Sequence, residues 1–336
     1  MNPQTSPACS SPQMAKDLSV YLQSKTNIEL FQHLPPNWGR WLLGGLGLKY
    51  FFSNPQKKEA IRNALDYCLP RPLTGVERRA RWRRTREGII DHYFEKLVLA
   101  SYSLPKIKKT MTRIEPLGLE HLRDALALNK GVIFVTGHFG AVEYIPCALS
   151  LWGFPVTILV HCKTAALKKR MDALAEAIGA RLIDPKEGSV FFDILRELRE
   201  GRVIMTQCDE MGSWSPYKNR KTYFLGFDLE LDRSLDLLRG KSGAPVLFGL
   251  NHRLPGGRFA LVVEKPELHP AARSLKLTSE QCLAVLADYI YKSPQEWYEW
   301  AKMGLLVEKV IGKVTDAGRQ RFGFLGEMAV QTPSAT

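Results

Sequence analysis

Gly131-Val-Ile-Phe-Val-Thr-Gly-His-Phe-Gly-Ala-Val-Glu143 joins a short apolar, β-branched run to a glycine-flanked turn and then to a second apolar run. The first run suits a central strand, and Ala141 to Leu151 reads as the helix that follows it. His138 is thereby placed in the turn and Glu143 on the helix. On one continuous helix, residues five apart point about 140° away from each other and do not easily meet. With His138 in the turn, the Glu143 carboxylate can fold back onto an imidazole nitrogen, and Gly137 and Gly140 give the backbone the freedom to do so. Such a carboxylate fixes the imidazole tautomer and stabilises imidazolium, making His138 a competent general base at neutral pH.

The alternation continues downstream. Leu119 to Leu128, Ala165 to Ile178 (stopped by Gly179) and Val190 to Arg199 read as helices. Pro155 to Val160, Arg181 to Ile183 and Val203 to Thr206 read as strands between them. This repetition predicts an α/β fold with a mostly parallel central sheet flanked by helices. Ligands of such sheets gather at the carboxyl ends of the strands, where both His138 and Asp209 fall. Asp209 fits two roles there, orienting a cation or an acceptor, or capping a loop. An irregular stretch to Thr222 follows, mixing Trp214 and Tyr217 with Lys218, Arg220 and Lys221. It suits contact with a phosphorylated amphiphile, or a plain surface loop. Strand Ala244 to Leu250 then leads through a hairpin turn at Pro255-Gly-Gly257 into Phe259 to Val263. Thr278-Ser-Glu-Gln281 reads as the cap of a helix running to Lys292, with Trp297 and Trp300 as core residues packing it on the sheet.

The chain has 336 residues and a formal net charge of +13. An anionic partner is expected: phospholipid, an acidic carrier protein, a phosphorylated glycolipid or nucleic acid. Nucleic acid has the least support, because zinc-finger spacing, an aromatic RNA-binding strand and a convincing recognition helix are all missing from the sequence. The six cysteines are scattered without Cys-x-x-Cys pairs, as expected of reduced core thiols, and no metal-ligand spacing appears. No Gly-x-Ser-x-Gly elbow accompanies the histidine. A base acting directly on a substrate hydroxyl is therefore favoured over one serving a covalent intermediate.

Four divisions are expected: 1–15 without fixed structure, a helical region over 16–110, an α/β domain over 111–310, and a tail over 311–336. Within the helical region, Trp38 to Phe52 is too short and too interrupted by Arg40 and Lys49 to span a bilayer. Its terminal aromatics and cations suit either an interfacial segment or a glycine-rich helix packed on the core. Ser53-Asn-Pro55 opens a helix to about Leu69, and Thr74-Gly-Val-Glu77 is a capping box opening a long helix to about Ser101. Arginines at 78, 79, 81, 83, 84 and 86 spread around most of that helix, which keeps this part out of an apolar core. They form either a solvated face or, through Arg79, Arg83 and Arg86, a dock for carrier protein or lipid phosphate.

Several motifs occur together and in register with one family. Gly131 to Glu143 resembles the His-x4-Asp/Glu motif of glycerolipid and lipid A acyltransferases, and with Phe after His it is most similar to the bacterial lipid A late acyltransferases (lauroyl/myristoyl acyltransferases). Gly201-Arg-Val-Ile-Met-Thr-Gln-Cys-Asp-Glu210 resembles that family's second strand ending in an acidic residue. Tyr223-Phe-Leu-Gly-Phe227 resembles its aromatic-Gly segment, Gly243-Ala-Pro-Val-Leu247 its next core strand, and Pro294-Gln-Glu-Trp-Tyr-Glu-Trp300 its Pro-x-x-Trp-x-x-Trp signature. The resemblance implies a transfer of fatty acyl groups from an acyl carrier protein or acyl-CoA thioester to a hydroxyl of a membrane glycolipid such as a lipid A precursor. No metal or redox cofactor is implied, and hydrolysis by the same dyad is the alternative. His138 and Glu143 carry the catalytic role, with Asp209 and Gly140 in support. The family's Arg after its second strand is matched by Arg170, with Arg181 the other counterpart. The implied location is the cytoplasmic face of the bacterial inner membrane. Many members carry an N-terminal spanning helix that this sequence does not show, so peripheral attachment is expected.

Overall fold

The computed structural model describes residues 25–69, 74–162, 164–185, 189–210 and 215–309. The stretches expected to lack structure at 1–15 and to form a tail at 311–336, and Trp214 of the aromatic-basic stretch, lie outside them. The chain opens with five helices, α1 (Lys25–His33), α2 (Pro36–Ser53), α3 (Pro55–Cys68), α4 (Gly75–Ser101) and α5 (Leu104–Met111). There follow β1 (Ile114–Leu117), α6 (Leu119–Leu126), β2 (Val132–Thr136), α7 (Tyr144–Leu151), β3 (Val156–Leu159), α8 (Ala165–Ile178), β4 (Arg181–Ile183), α9 (Val190–Arg199) and β5 (Val203–Gln207). The last part holds β6 (Pro216–Phe224), β7 (Phe227–Asp232), α10 (Ser234–Ser242), β8 (Val246–Leu254), β9 (Arg258–Glu264) and α11 (Thr278–Lys292), and residues 300–309 are helical.

Seven strands form one sheet in the order β1-β9-β8-β2-β5-β3-β4. Strands β8, β2, β5, β3 and β4 run parallel; β9 is antiparallel to β8, and β1 is parallel to β9. The mostly parallel α/β sheet expected from the sequence is thus present. The antiparallel edge comes from the hairpin at Pro255–Gly257, because a three-residue connection can only reverse the chain. Alternate residues of the central strands feed opposite faces. Ile133, Val135, Ile204 and Phe248 pack under α9, α10 and α11, whereas Val132, Phe134, Val203, Met205 and Leu247 pack under α5, α6 and α7. Strand β2 is buried along its whole length, which explains why its sequence is an unbroken apolar run.

Helix α4 ties the N-terminal helices to this sheet. The Thr74 side chain accepts from the Glu77 amide and Glu77 reaches back to the Thr74 amide, so the capping box is formed. Thr74→Ala should lower stability by about 1 kcal/mol, read as a shift of the urea midpoint. At Gly88 a side chain would collide with the Gln295 carbonyl, and the missing Cβ lets α4 lie directly on the 294–296 turn. Arg78, Arg79, Arg83 and Arg84 are exposed, while Arg81 and Arg86 are half-buried beside Trp82, which packs edge-on against Phe51.

Three local expectations are corrected. Helix α7 begins at Tyr144 rather than Ala141: Gly140 has a positive φ, and the Tyr144 and Ile145 amides bond three residues back to the Ala141 and Val142 carbonyls, a tight turn rather than an α-helix. The stretch to Thr222 is not irregular throughout: β6 pairs with β7 in a separate antiparallel ribbon that turns through Leu225 and Gly226, both at positive φ. Helix α11 takes its cap from Asp236 of α10, whose carboxylate accepts from the Thr278 amide and the Ser279 hydroxyl.

Candidate active site

Strands β2 and β5 are neighbours in the register Thr136↔Gln207. Two residues further along each chain stand His138 and Asp209, and the Cys208 amide donates to the Thr136 carbonyl at 2.9 Å, which prolongs the ladder between them. The adjacency of parallel strands is what brings this base and this acid together across 71 residues of sequence. Asp209 Oδ1 lies 2.8 Å from His138 Nδ1, and Oδ2 accepts from the His138 amide at 2.9 Å and from Trp297 Nε1 at 2.8 Å. Asp209 is fully buried, so its two oxygens are held by three fixed donors in a dry setting. Trp297 is core, as its sequence context suggested, and its one polar atom fixes Asp209.

Burial opposes charge on both partners. For His138 the neighbouring Asp209 charge and hydrogen bond, then Glu210 and Glu299, outweigh burial and raise the imidazole to about 10. For Asp209 burial is again the largest influence, but His138 and the Trp297 and amide donors hold the carboxyl below its ordinary value. On the other side of the ring, Glu210 Oε1 lies 3.1 Å from Nε2 and Glu299 Oε1 lies 3.9 Å away. Lys302 bridges these two carboxylates at 3.2 and 3.1 Å. Tyr298 meets the His138 ring edge-on, and its amide donates to the His138 carbonyl.

Glu143 does not fold back onto His138. Its carboxylate lies 3.2 Å from Lys96 and 3.7 Å from His92 Nε2, both on α4. Both imidazole nitrogens of His138 have other carboxylate neighbours, Asp209 and Glu210. The physical reason is the late start of α7: Glu143 stands before its first turn rather than on it. His92 is buried and stacks at 3.4 Å on Tyr298, the ring that also meets His138, so Glu143 lies one aromatic layer away from the base. Burial, with Lys96 and His138 nearby, drives the His92 pKa well below its ordinary value.

Gly140 has φ +59, and a side chain there would collide with the Asn251 carbonyl. Its carbonyl accepts from Arg253 Nη2 at 2.8 Å, while the Arg253 Nε and Nη2 atoms grip both oxygens of Glu95 at 2.7 and 2.9 Å. The guanidinium that reaches this turn is therefore that of Arg253, on β8. Arg170 instead is exposed on α8. Amides 138 to 141 donate to Asp209, Gly137, Glu296 and Asn251, so this turn is rigid and its N–H groups are committed within the protein. Arg253 and Tyr298 escaped the sequence reading. A signal for Tyr298 was its place inside Pro294 to Trp300; Arg253, in Asn251-His-Arg253 at a strand end, had none that separates it from a surface arginine.

Of the carrier-dock candidates, Arg79 and Arg83 are exposed, Arg83 lies 3.9 Å from Glu87, and Arg86 is half-buried, its Nε without a hydrogen-bond partner among the described residues. Of the described cysteines, Cys68, Cys147 and Cys282 are buried in the core, and Cys162 and Cys208 are half-buried. Among the described residues, no helix is long and apolar enough to cross a membrane.

A search of curated proteins finds no match to this chain. A family model described as bacterial lipid A biosynthesis acyltransferase matches residues 14–218, a span that takes in the described N-terminal helices, strands β1 to β5 and both His138 and Asp209. With more than half of its length matched, the chain belongs to the bacterial lipid A biosynthesis acyltransferase family and is an enzyme that transfers acyl groups.

Proposed function

We propose that this enzyme moves a fatty acyl group from the thioester of acyl carrier protein or CoA to a hydroxyl of a membrane glycolipid, such as a lipid A precursor, with His138 as general base. The observation that carries the reading is the hold of Asp209 on Nδ1, which leaves Nε2 as the nitrogen on the side away from the buried carboxylate. With the ring in its neutral form, Nε2 takes the hydroxyl proton as the oxygen attacks the thioester carbonyl. The tetrahedral oxyanion then collapses, the carbon–sulfur bond breaks, and the imidazolium returns its proton to the leaving thiolate. No covalent acyl-enzyme, metal or redox step enters this chemistry. With the turn amides committed elsewhere, Lys302 is the cation we assign to the developing oxyanion. Glu143 keeps a part as the anchor of Lys96 beside the Tyr298 ring.

The acceptor is reached, in this reading, by peripheral attachment at the cytoplasmic face of the inner membrane. On α2, Trp38, Trp41, Leu48 and Phe52 fall within about 80° of one another at 100° per residue, and they are 70%, 86%, 50% and 89% exposed. The opposite face packs on α1 and α4 through Leu43, Phe51, Gly39 and Gly47. Both readings of this segment thus meet in one helix: one side is core, and the other suits the headgroup region. Replacing Trp41 and Phe52 by Ala should cut binding to anionic phospholipid vesicles roughly tenfold or more. Unchanged co-sedimentation would remove α2 from the docking surface. Arg79, Arg83 and Arg86 are assigned to acidic carrier protein or lipid phosphate, for which guanidinium forks are suited.

The test is acyl transfer from a labelled acyl carrier protein into a total lipid extract, followed by mass spectrometry. A new acylated lipid supports the reading and identifies the acceptor. Release of free fatty acid alone would overturn it in favour of a thioesterase.

A further inference from the structure

The nitrogen that general-base catalysis needs is already occupied. Asp209 takes Nδ1, and the Glu210 carboxylate lies on Nε2 at 3.1 Å. An acceptor hydroxyl giving up its proton to Nε2 must come to the same distance along the same direction, and two oxygens cannot share that place. The two carboxylates are held very differently. Asp209 is fully buried and accepts from three donors fixed in the core. The Glu210 side chain is 41% exposed, and among the described residues its second oxygen meets the exposed ammonium of Lys302, a long and flexible side chain.

We infer that Glu210 is the specificity-determining residue for acceptor over water: it covers Nε2 against water and is displaced, while tethered to Lys302, when the acceptor hydroxyl arrives. The inference rests on the general-base reading of His138. With Glu210 in place Nε2 keeps its proton and is no base; a thioester donor meeting an uncovered, neutral ring would be hydrolysed, because water is a small oxygen nucleophile that needs no binding site. A displaceable carboxylate favours the acceptor, whose remote contacts supply the binding energy that water lacks. The groups facing His138 are Asp209 and Glu210 after β5, and Tyr298, Glu299 and Lys302 from the C-terminal segment. Beyond the Tyr298 ring lie His92, Lys96 and Glu143. Glu210 is the exposed member of the set that touches Nε2, and moving it away removes the charge that favours imidazolium on that side.

Two variants test this. Glu210→Ala, which uncovers Nε2, should raise acceptor-independent hydrolysis of acyl carrier thioester at least fivefold relative to transfer. Glu210→Gln, which keeps the shape and removes the charge, should lower the titration midpoint of the His138 ring, followed by nitrogen NMR, by at least one pH unit and shift the acid limb of kcat/KM with it. An unchanged ratio of hydrolysis to transfer in Glu210→Ala overturns the inference, and so does an unmoved His138 midpoint in Glu210→Gln. The NMR measurement reads the contact without any turnover, so its failure is distinct from failure of the acyltransfer reading, which would instead show as no lipid product with the unmodified enzyme.

Discussion

Asp209→Asn lowers acyl transfer by about a thousandfold while leaving the fold in place. The carboxylate accepts from Nδ1–H and so keeps Nε2 free of its proton in the neutral ring. An amide in its place can turn its NH2 toward Nδ1, which moves the ring proton to Nε2, where no further proton can be taken up. The expected signature is a fall in kcat with a nearly unchanged KM for the acyl donor, measured with labelled acyl carrier protein. Stability carries a second signature. The folded imidazole is raised to about 10, against about 6.5 in an unfolded chain. Its contribution is therefore complete below about pH 6.5 and is lost as pH rises toward about 10. In Asp209→Asn this alkaline decline should flatten, visible as a weaker dependence of the melting midpoint on pH across that window.

Gly140→Ala is expected to destabilise the protein by about 2–5 kcal/mol, combining left-handed backbone strain with a collision in a packed core. The residue has φ +59, and its new Cβ would meet the Asn251 carbonyl oxygen. Nothing nearby can yield. The Gly140 amide is held by the Glu296 carbonyl, the Gly140 carbonyl by Arg253, and the next amide by Asn251 itself. A thermal midpoint lower by roughly 5–15 °C would register the effect. Gly153→Ala is the control: φ is +89 there, but nothing lies within 4 Å, so only the backbone strain of about 1–2 kcal/mol remains. Equal losses at the two positions would show that the turn after His138 is not clamped as described.

Much of the frame was legible because local signals and burial agree. Helix α8 runs from Ala165 to Ile178 as read from the sequence, since the Thr164 side chain caps its start and Gly179 ends it with φ +72. Strand β2 was legible because a strand buried on both faces leaves a pure apolar run. The partner of His138 was not legible. Sequence distance favoured Glu143, but the sheet order sets β5 beside β2, and that order is a property of how crossovers pack rather than of any local pattern. The same gap explains Arg253, which reaches the turn from β8 on the other side of β2. The β6–β7 ribbon was missed because its turn uses Leu225 at φ +49 before Gly226, where the usual hairpin signal is Asn or Asp. Helix α7 is shorter than its apolar run, which Ala141 and Val142 continue, because Gly140 is left-handed and the Tyr144 and Ile145 amides close a tight three-residue turn instead of an α-helical one.

The central claim is that His138, oriented by Asp209, is the base that activates the acceptor hydroxyl. The most direct measurement is the initial rate of labelled acyl incorporation into lipid by the unmodified enzyme and by His138→Ala, with both shown folded by circular dichroism. The account predicts incorporation by the first and a loss of at least about a thousandfold in the second. A variant that retains transfer within tenfold would contradict it.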